Sequence, residues 1–391
     1  MNNYIPYGHH SIGSDDINAV CEVLRSGYIT QGPKIEEFER GLTGYTGAKY
    51  AVVVSSGTAA LHIACLAANI NTGSQVITSP ITFAASANCV FYCGAKPMFA
   101  DVQEDTLNID PHEIERAITK KTKAAIVVHF AGHPCDLAEI SNIAKKYKLI
   151  IIEDAAHALG AKYKDSKIGS CKYSDMTILS FHPVKSITTG EGGAILTNRK
   201  DLYEKLLLLR NHGITKNTRK FINPYHPHYP EDSWYYEMQE LGFNYRLTDI
   251  QAALGISQLK KLDRFIERRR EIAANYNLYF KNNPYFDIPA ERKLVYSAYH
   301  LYQIKLKDKF KDKKEEIFRK LRSRGLGVQV HYIPVYLHPF YKKSGYRKGL
   351  CPKAEDCYEK ELSLPLYPAL KQDQMRSVMK SALGVFRDFD K

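Results

Sequence analysis

The chain of 391 residues contains no apolar run approaching the roughly 18 residues that a membrane-spanning helix requires, so an integral helical membrane protein is a poor reading. Its first ten residues, Met1 to His10, hold no lysine, no arginine and no apolar core segment, and do not read as a secretory signal. A cytoplasmic protein with no membrane partner is the expectation. The eight cysteines stand at 21, 65, 89, 93, 135, 171, 351 and 357, with no Cys-x-x-Cys pair and none of the spacings of a structural zinc site. They read as reduced thiols rather than as a disulfide framework. There is no internal repeat and no low-complexity linker, and 44% hydrophobic with 25% charged residues excludes a disordered chain.

Charge is the one compositional excess. The formal net charge is +13, which raises the question of a polyanionic partner. Residues 1–150 carry 12 basic and 14 acidic side chains, so the excess lies further along. Residues 256–320 carry 17 basic and 9 acidic ones, interleaved as in Lys307-Asp308-Lys309 and Lys313-Lys314-Glu315-Glu316. Interleaving of this kind suits a solvated helical surface better than a nucleic-acid groove, and no helix-turn-helix extension flanks it. No nucleic acid is expected as a partner.

From residue 50 onward, short β-branched runs alternate with helical stretches. Tyr50 to Val54, Val76 to Thr78, Pro97 to Val102, Ala124 to Val128 and Leu149 to Ile152 read as strands. An alanine-rich helix runs to about Ala68, and Asp110-Pro111 reads as an N-cap with proline at the first helical position. Such alternation predicts an α/β fold with a mostly parallel sheet covered on both faces. Met176 to Ser180 and Ala194 to Thr197 add two strands, one of which the spacing allows to be antiparallel. A long helix is expected from Leu247 to Phe280, closed by Asn282-Asn283-Pro284. Strands at Tyr299 to Leu306 and Val328 to Tyr332, with helices over 312–324 and 370–386, suggest a smaller α+β unit. The domains are accordingly 1–255, large α/β, and 256–391, smaller α+β.

Open parallel sheets bind ligands at the carboxyl ends of their strands, and three such edges carry polar residues. The first is Ser55-Ser56-Gly57-Thr58, where a strand turns into a helix whose free N–H groups suit a phosphate, although taken alone the motif reads better as a plain N-cap. The second is Ile152-Glu153-Asp154-Ala155-Ala156-His157, which sets Asp154 and His157 past a buried strand. The third is Leu179-Ser180-Phe181-His182-Pro183-Val184-Lys185, followed by Thr188-Thr189-Gly190-Glu191-Gly192-Gly193. A lysine so placed is desolvated, its pKa falls, and its neutral amine suits Schiff-base chemistry. The alternative is a surface lysine on a loop.

Taken together, a phosphate cradle, an aspartate and then a lysine resemble the layout of pyridoxal-phosphate enzymes of the aspartate aminotransferase fold, fold type I. The stretches Ser180-Phe181-His182, Lys185 to Gly193 and Asp154-Ala155-Ala156-His157-Ala158-Leu159-Gly160 are similar to the sugar-nucleotide aminotransferase (DegT) family over essentially the whole chain. That resemblance implies pyridoxal 5'-phosphate as cofactor, with Lys185 and Asp154 catalytic: lysine for the carbonyl carbon, aspartate for the pyridine nitrogen. It implies Ser56, Gly57, Thr58 and Ser180 around the phosphate, Phe83 stacked on the ring and His157 near the phenolic oxygen. Asn244, in Gly242-Phe243-Asn244-Tyr245-Arg246, matches a residue lent across a homodimer interface with shared active sites; read locally, it is a turn residue. Sugar dehydratases on this fold carry histidine at the lysine position, so Lys185 argues against that class.

One branch matches further. His182 to Thr189, Gly327-Val328-Gln329-Val330-His331-Tyr332-Ile333-Pro334 and Glu361-Leu362-Ser363-Leu364-Pro365 resemble the aminotransferases of pseudaminic acid synthesis. The resemblance implies a UDP-linked 4-keto-6-deoxy-2-acetamido-L-hexose as acceptor and L-glutamate as donor. The substrate contacts it implies are Tyr7, Gly27, Tyr28, Ile29, Thr30, Gln329, Val330, His331 and Tyr332. The tyrosine-, histidine- and proline-rich stretch Lys220 to Asp232 is longer than that branch leads one to expect, and reads as a flap or a surface loop. His129-x-x-x-His133 and His226-Pro227-His228 have suggestive spacings, but neither has a third ligand nearby, so no metal is expected.

Overall fold

The computed structural model describes residues 4–222 and 234–389. His226 to His228 and most of the Lys220 to Asp232 stretch lie outside them. The chain forms β1 (Tyr50–Val54), β2 (Gln75–Thr78), β3 (Lys96–Phe99), β4 (Thr122–Val128) and β5 (Ile150–Asp154), then the short β6 (Lys162–Tyr163) and β7 (Ser166–Lys167), then β8 (Met176–Ser180) and β9 (Gly193–Thr197). Seven of these make the central sheet, in the order β1-β9-β8-β5-β4-β2-β3. β9 is antiparallel to both neighbours and the other pairs are parallel. The expected single reversal therefore falls on the strand from Gly193 to Thr197, and it brings the start of β9 to the carboxyl ends of β1 and β8.

The sheet strands are buried nearly throughout, as residues covered by helices on both faces must be. Two apolar clusters lie on its two sides. One joins Val53, Ile77, Val127, Ile151 and Leu179 to the helices Pro33–Thr46 and Leu137–Tyr147; the other joins Val52, Ile126, Ile152 and Ile178 to the helix Gly57–Ala67. Alternation along β5 follows from this: Ile151 and Ile152 face opposite layers, and so do Glu153 and Asp154. Asp110 caps its helix as expected, accepting from His112 N at 2.9 Å.

The single long helix expected between Leu247 and Phe280 is two helices, Asp249–Leu259 and Leu262–Phe280, broken at Lys260-Lys261. The break has a chemical reason. Asp16, fully buried in the helix Ser14–Leu24, is reached by Lys261 at 2.5 Å, Asp15 by the same lysine at 2.8 Å, and Gln258 bonds Asp16 Oδ2 at 2.8 Å. Both segments keep an apolar inner face, so periodicity runs across the break without revealing it. Phe265 and Ile266 belong to the sheet's core and Ile272, Tyr276 and Phe280 to a second core, so the passage between the two falls within this helix. The second core also takes in Ile5, through a bridge between Ile5 and Leu326.

The strand expected over Val328 to Tyr332 does not form. Only Gln329 pairs, with Ser363 of the strand Glu361–Leu364, and the N–H of His331 turns to the Glu361 side chain instead of to a ladder partner. The strand expected over Pro97 to Val102 ends at Phe99, after which Asp101 accepts from Lys353 N and Ala354 N and caps the helix Pro352–Lys360. Among the described residues, no helix is long and apolar enough to cross a membrane.

Candidate active site

The carboxyl edge of β1, β8 and β5 opens into a cavity of about 460 Å³, within the range common for cofactor and ligand sites. Tyr7, Ser56, Gly57, Thr58, Phe83, Asp154, His157, Ser180, Lys185, His331 and Tyr332 all line it, drawn from segments far apart in the chain. A cleft of about 540 Å³ lies elsewhere, walled by Glu39, Arg210, Asn211, Lys216 and Arg246. Its Arg210 is already tied to Glu39 at 2.6 Å and to the Val53 carbonyl at 2.9 Å.

At one end of the cavity, β1 turns into the helix Gly57–Ala67. Ser56 is its N-cap and accepts from Ala59 N at 3.0 Å, so the N-cap reading of this turn holds, while Gly57 and Thr58, at the start of the helix with its free N–H groups, line the cavity. The turn is fixed from behind by Gly193. A Cβ there would stand 2.5 Å from the Ser56 carbonyl oxygen and 2.7 Å from Gly57 N. A Cβ on Gly57 would come within 3.0 Å of Ser180 Cβ, which keeps this end open to a group the size of a phosphate.

At the other end Asp154, only 5% exposed, ends β5. Ser86 donates to its Oδ2 at 2.6 Å and Ala156 N donates to Oδ1 at 3.1 Å. Thr82 lies 2.7 Å from Ser86 and, since Ser86 spends its proton on the carboxylate, Thr82 is the donor of that pair. Its neighbour Glu153 faces away and pairs with His129 at 2.7 Å on the far side of the sheet. His133 binds the Pro134 carbonyl at 2.8 Å, and among the described residues no group of three or more metal-binding side chains occurs.

Lys185 follows β8 and is half-buried between these ends. Burial lowers its ammonium from the ordinary 10.5 to about 8; the Asp154 charge opposes that fall and the Arg269 charge assists it. Three of the histidines around it are held neutral. Burial pushes His157 and His300 well down, helped by the nearby positive charges, and takes His331 down to about 4. The His157 and His300 ring centres lie 4.2 Å apart with the planes tilted by 35°, and His157 Nε2 lies 3.3 Å from the Tyr332 hydroxyl. His157 Nδ1 is buried without a partner. Phe83, 63% exposed, overhangs the opening beside Tyr332.

Seven of the expected residues are not brought to this cavity. Gly27, Tyr28, Ile29 and Thr30 are all exposed, on a loop that a bridge from Thr30 to Thr248 and a bond from Asp249 N to the Ile29 carbonyl hold in place. Asn244 is exposed and pairs with Asn211. Gln329 is half-buried against Ser363, and Val330 lines a separate groove with Lys314 and Phe318. Conversely, Thr82, Ser86, Glu191 and His300 line the cavity without having been expected there. Ser86 could have been noticed as a lone hydroxyl one helical turn after Phe83; nothing local marks His300.

This donor set fits pyridoxal phosphate. It has helix N–H groups with a glycine-backed turn for the phosphate, and a carboxylate fixed by two donors for the pyridine nitrogen. It has an uncompensated amine for the carbonyl, and an unpartnered imidazole nitrogen beside it. The comparisons agree. Residues 10–382 match the DegT/DnrJ/EryC1/StrS aminotransferase family. The UDP-4-amino-4,6-dideoxy-N-acetyl-beta-L-altrosamine transaminase of Campylobacter jejuni (serotype O:23/36, strain 81-176) is 42% identical over 390 residues, 99% of each chain. Helicobacter pylori PseC, an aminotransferase of pseudoaminic acid biosynthesis, superposes with a TM-score of 0.91 at 35% identity, covering 99% of this chain and 100% of that one. The PLP-form of Spr1654 from Streptococcus pneumoniae, assigned as a sugar aminotransferase, also gives 0.91, at 30% identity over 98% and 99% of the two chains. With its mostly parallel sheet and this site, the chain belongs to the DegT/DnrJ/EryC1/StrS family of sugar aminotransferases.

Proposed function

We propose that this enzyme moves the amino group of L-glutamate to C4 of a UDP-linked 4-keto-6-deoxy-2-acetamido-L-hexose. The product is UDP-4-amino-4,6-dideoxy-N-acetyl-beta-L-altrosamine, and the setting is the cytoplasm. The observation that carries the reading is Lys185, an amine with lowered pKa and no contact ion pair among the described residues, facing the cavity whose far wall is Asp154. The choice of sugar is supported by the motifs around Lys185, His331 and Ser363 and by the names of the relatives.

When bound, pyridoxal phosphate supplies a carbonyl that exchanges with amines and an electron sink for the carbanion. The chain does the rest. Asp154, fixed by Ser86 and Ala156 N, offers a carboxylate to the ring nitrogen, and Phe83 covers the ring. The neutral amine of Lys185 takes the proton from the α-carbon of glutamate; water then releases the carbon skeleton as 2-oxoglutarate while the nitrogen stays behind, and as that nitrogen passes to the sugar Lys185 returns a proton to C4. With a pKa of about 8, Lys185 can both accept and donate near neutral pH. Asn244 and the Gly27 to Thr30 loop, both exposed, serve the neighbouring site of a homodimer.

The test is the absorbance spectrum of cofactor-loaded protein, taken alone, after L-glutamate and after the ketosugar. The expected result is a cofactor band that shifts with glutamate and returns with the sugar, and that does neither in Lys185→Ala. Recovery with a different nucleotide-linked ketosugar alone would replace the substrate while keeping the aminotransferase; a Lys185→Ala enzyme turning over at near the wild-type rate would remove the mechanism.

A further inference from the structure

Behind the cavity wall lies a hydrogen-bonded chain that the reaction as described does not use. Glu361 and Ser363 stand on one face of the strand Glu361–Leu364, 2% and 0% exposed. Glu361 Oε2 accepts from the backbone N–H of His331 at 2.8 Å. Its Oε1 accepts from the Ser363 hydroxyl at 2.6 Å, and Ser363 Oγ is 2.9 Å from His331 Nδ1. The register is locked by the paired backbones of Gln329 and Ser363, bonded in both directions at 3.2 and 2.8 Å.

The direction of the protons follows from valence. A carboxylate only accepts, so the single hydroxyl proton of Ser363 goes to Glu361. Ser363 Oγ then has lone pairs alone for His331, and Nδ1 must be the donor. Neutral His331 therefore carries its proton on Nδ1 and leaves Nε2 bare. His331 lines the cavity between Tyr7, whose ring centre is 5.4 Å away, and Tyr332, at 4.9 Å. Its Nε2 has no hydrogen-bond partner among the described residues, nor is it among their sealed, unpartnered atoms.

We propose that Ser363 and Glu361 are positioning residues that hold His331 as its Nδ1–H tautomer, so that Nε2 accepts a hydrogen bond from a hydroxyl or amide N–H of the ketosugar. This rests on the aminotransferase reading above and deepens it. The specificity consequence is direct: an acceptor fixed at this point selects a sugar with a donor there and leaves a bare lone pair against one without. Burial raises the Glu361 carboxyl to about 7, while Ser363, the Lys314 charge and the His331 N–H oppose that rise, so the arrangement is complete above that value.

The test pairs a tautomer measurement with kinetics at a pH above the Glu361 range. Nitrogen-15 shifts of His331 in the cofactor-loaded wild type should report Nδ1–H. In Glu361→Gln the amide oxygen stays on the His331 N–H and its NH2 donates to Ser363. The Ser363 proton then swings to Nδ1, and the tautomer reverses to Nε2–H. The apparent KM for the ketosugar should rise about tenfold more than that for glutamate, the size of one misdirected hydrogen bond. Nε2–H in the wild type, which needs no variant to fold, overturns the proposal whatever the activity. Equal KM changes for both substrates reduce Glu361 to a structural role and overturn it too. Wild-type protein that shows Nδ1–H yet transfers nitrogen to no ketosugar refutes instead the functional reading, and the sugar contact with it.

Discussion

Lys185 is the residue whose chemistry costs the fold something. Its ammonium titrates near 8 in the folded chain and near 10.5 when free, because burial disfavours the charge more than Asp154 restores it. Below about 8 the folded protein holds a desolvated cation. Between about 8 and 10.5 the folded lysine is neutral while the unfolded one still binds a proton, so stability rises with pH across that window. Lys185→Met has no such titration. Cofactor-free Lys185→Met should therefore exceed the wild type in urea midpoint below pH 8, and the advantage should shrink as pH climbs toward 10.5. A constant difference across the window would show that the lysine is ordinary. Asp154, Lys185 and Ser56 to Thr58 drew attention in the sequence because each lies at or just beyond the end of an apolar strand, and the family resemblance singled them out together. Ser86, which fixes Asp154 from 68 positions away, did not, and neither did buried Arg269, whose charge reaches Lys185, His157 and His300 from another helix. Their roles exist only in three dimensions.

At the scale of elements, the reversed β9 decides the shape of the site. Because it enters the sheet at the carboxyl edge, Gly193 backs directly onto the turn from β1 into the helix Gly57–Ala67. Glycines at 190, 192 and 193 permit close backbone approach, but what they approach depends on strand order, which no local pattern encodes. Gly193→Ala places a methyl group against backbone at 2.5 to 2.7 Å, and backbone cannot rotate away as a side chain can. The turn must shift, at a cost of about 1–3 kcal/mol in stability, and the first N–H groups of the helix move with it. The dissociation constant for pyridoxal phosphate, followed by fluorescence, should rise at least in proportion. Gly44→Ala is the control: it lies within the helix Pro33–Thr46 with nothing inside 4 Å, and should be neutral or stabilising by about 0.5–1 kcal/mol. Equal cofactor affinity in the two variants would mean that the turn does not hold the phosphate.

For the whole molecule, five of the seven expected residues that the cavity does not use, Gly27 to Thr30 and Asn244, lie exposed outside it. The Gly27 to Thr30 loop is anchored at Thr248 and Asp249, four and five residues beyond Asn244. The segment leading to Asn244 exposes Trp234, Tyr236, Met238 and Leu241 at 52% to 80%, and the loop exposes Tyr28 and Ile29 at 63% and 51%. Exposed aromatic and aliphatic side chains at this density mark a surface that another protein covers. In residues 256–320 several basic side chains are ion-paired, as Arg292 with Asp105 and Asp136, Arg270 with Glu291, and Lys311 with Glu359. If a second copy covers the patch, Asn244 and Lys185 of one complete site come from different chains. Asn244→Ala and Lys185→Ala homodimers should then each be severely impaired, yet unfolding and refolding them together in equal amounts should restore roughly a quarter of wild-type activity: half the dimers are mixed, and each mixed dimer has one intact site of two. Activity that stays at the level of the separate variants would place Asn244 and Lys185 in the same site, served by one chain, and the exposed loop and its aromatic neighbours would need another partner.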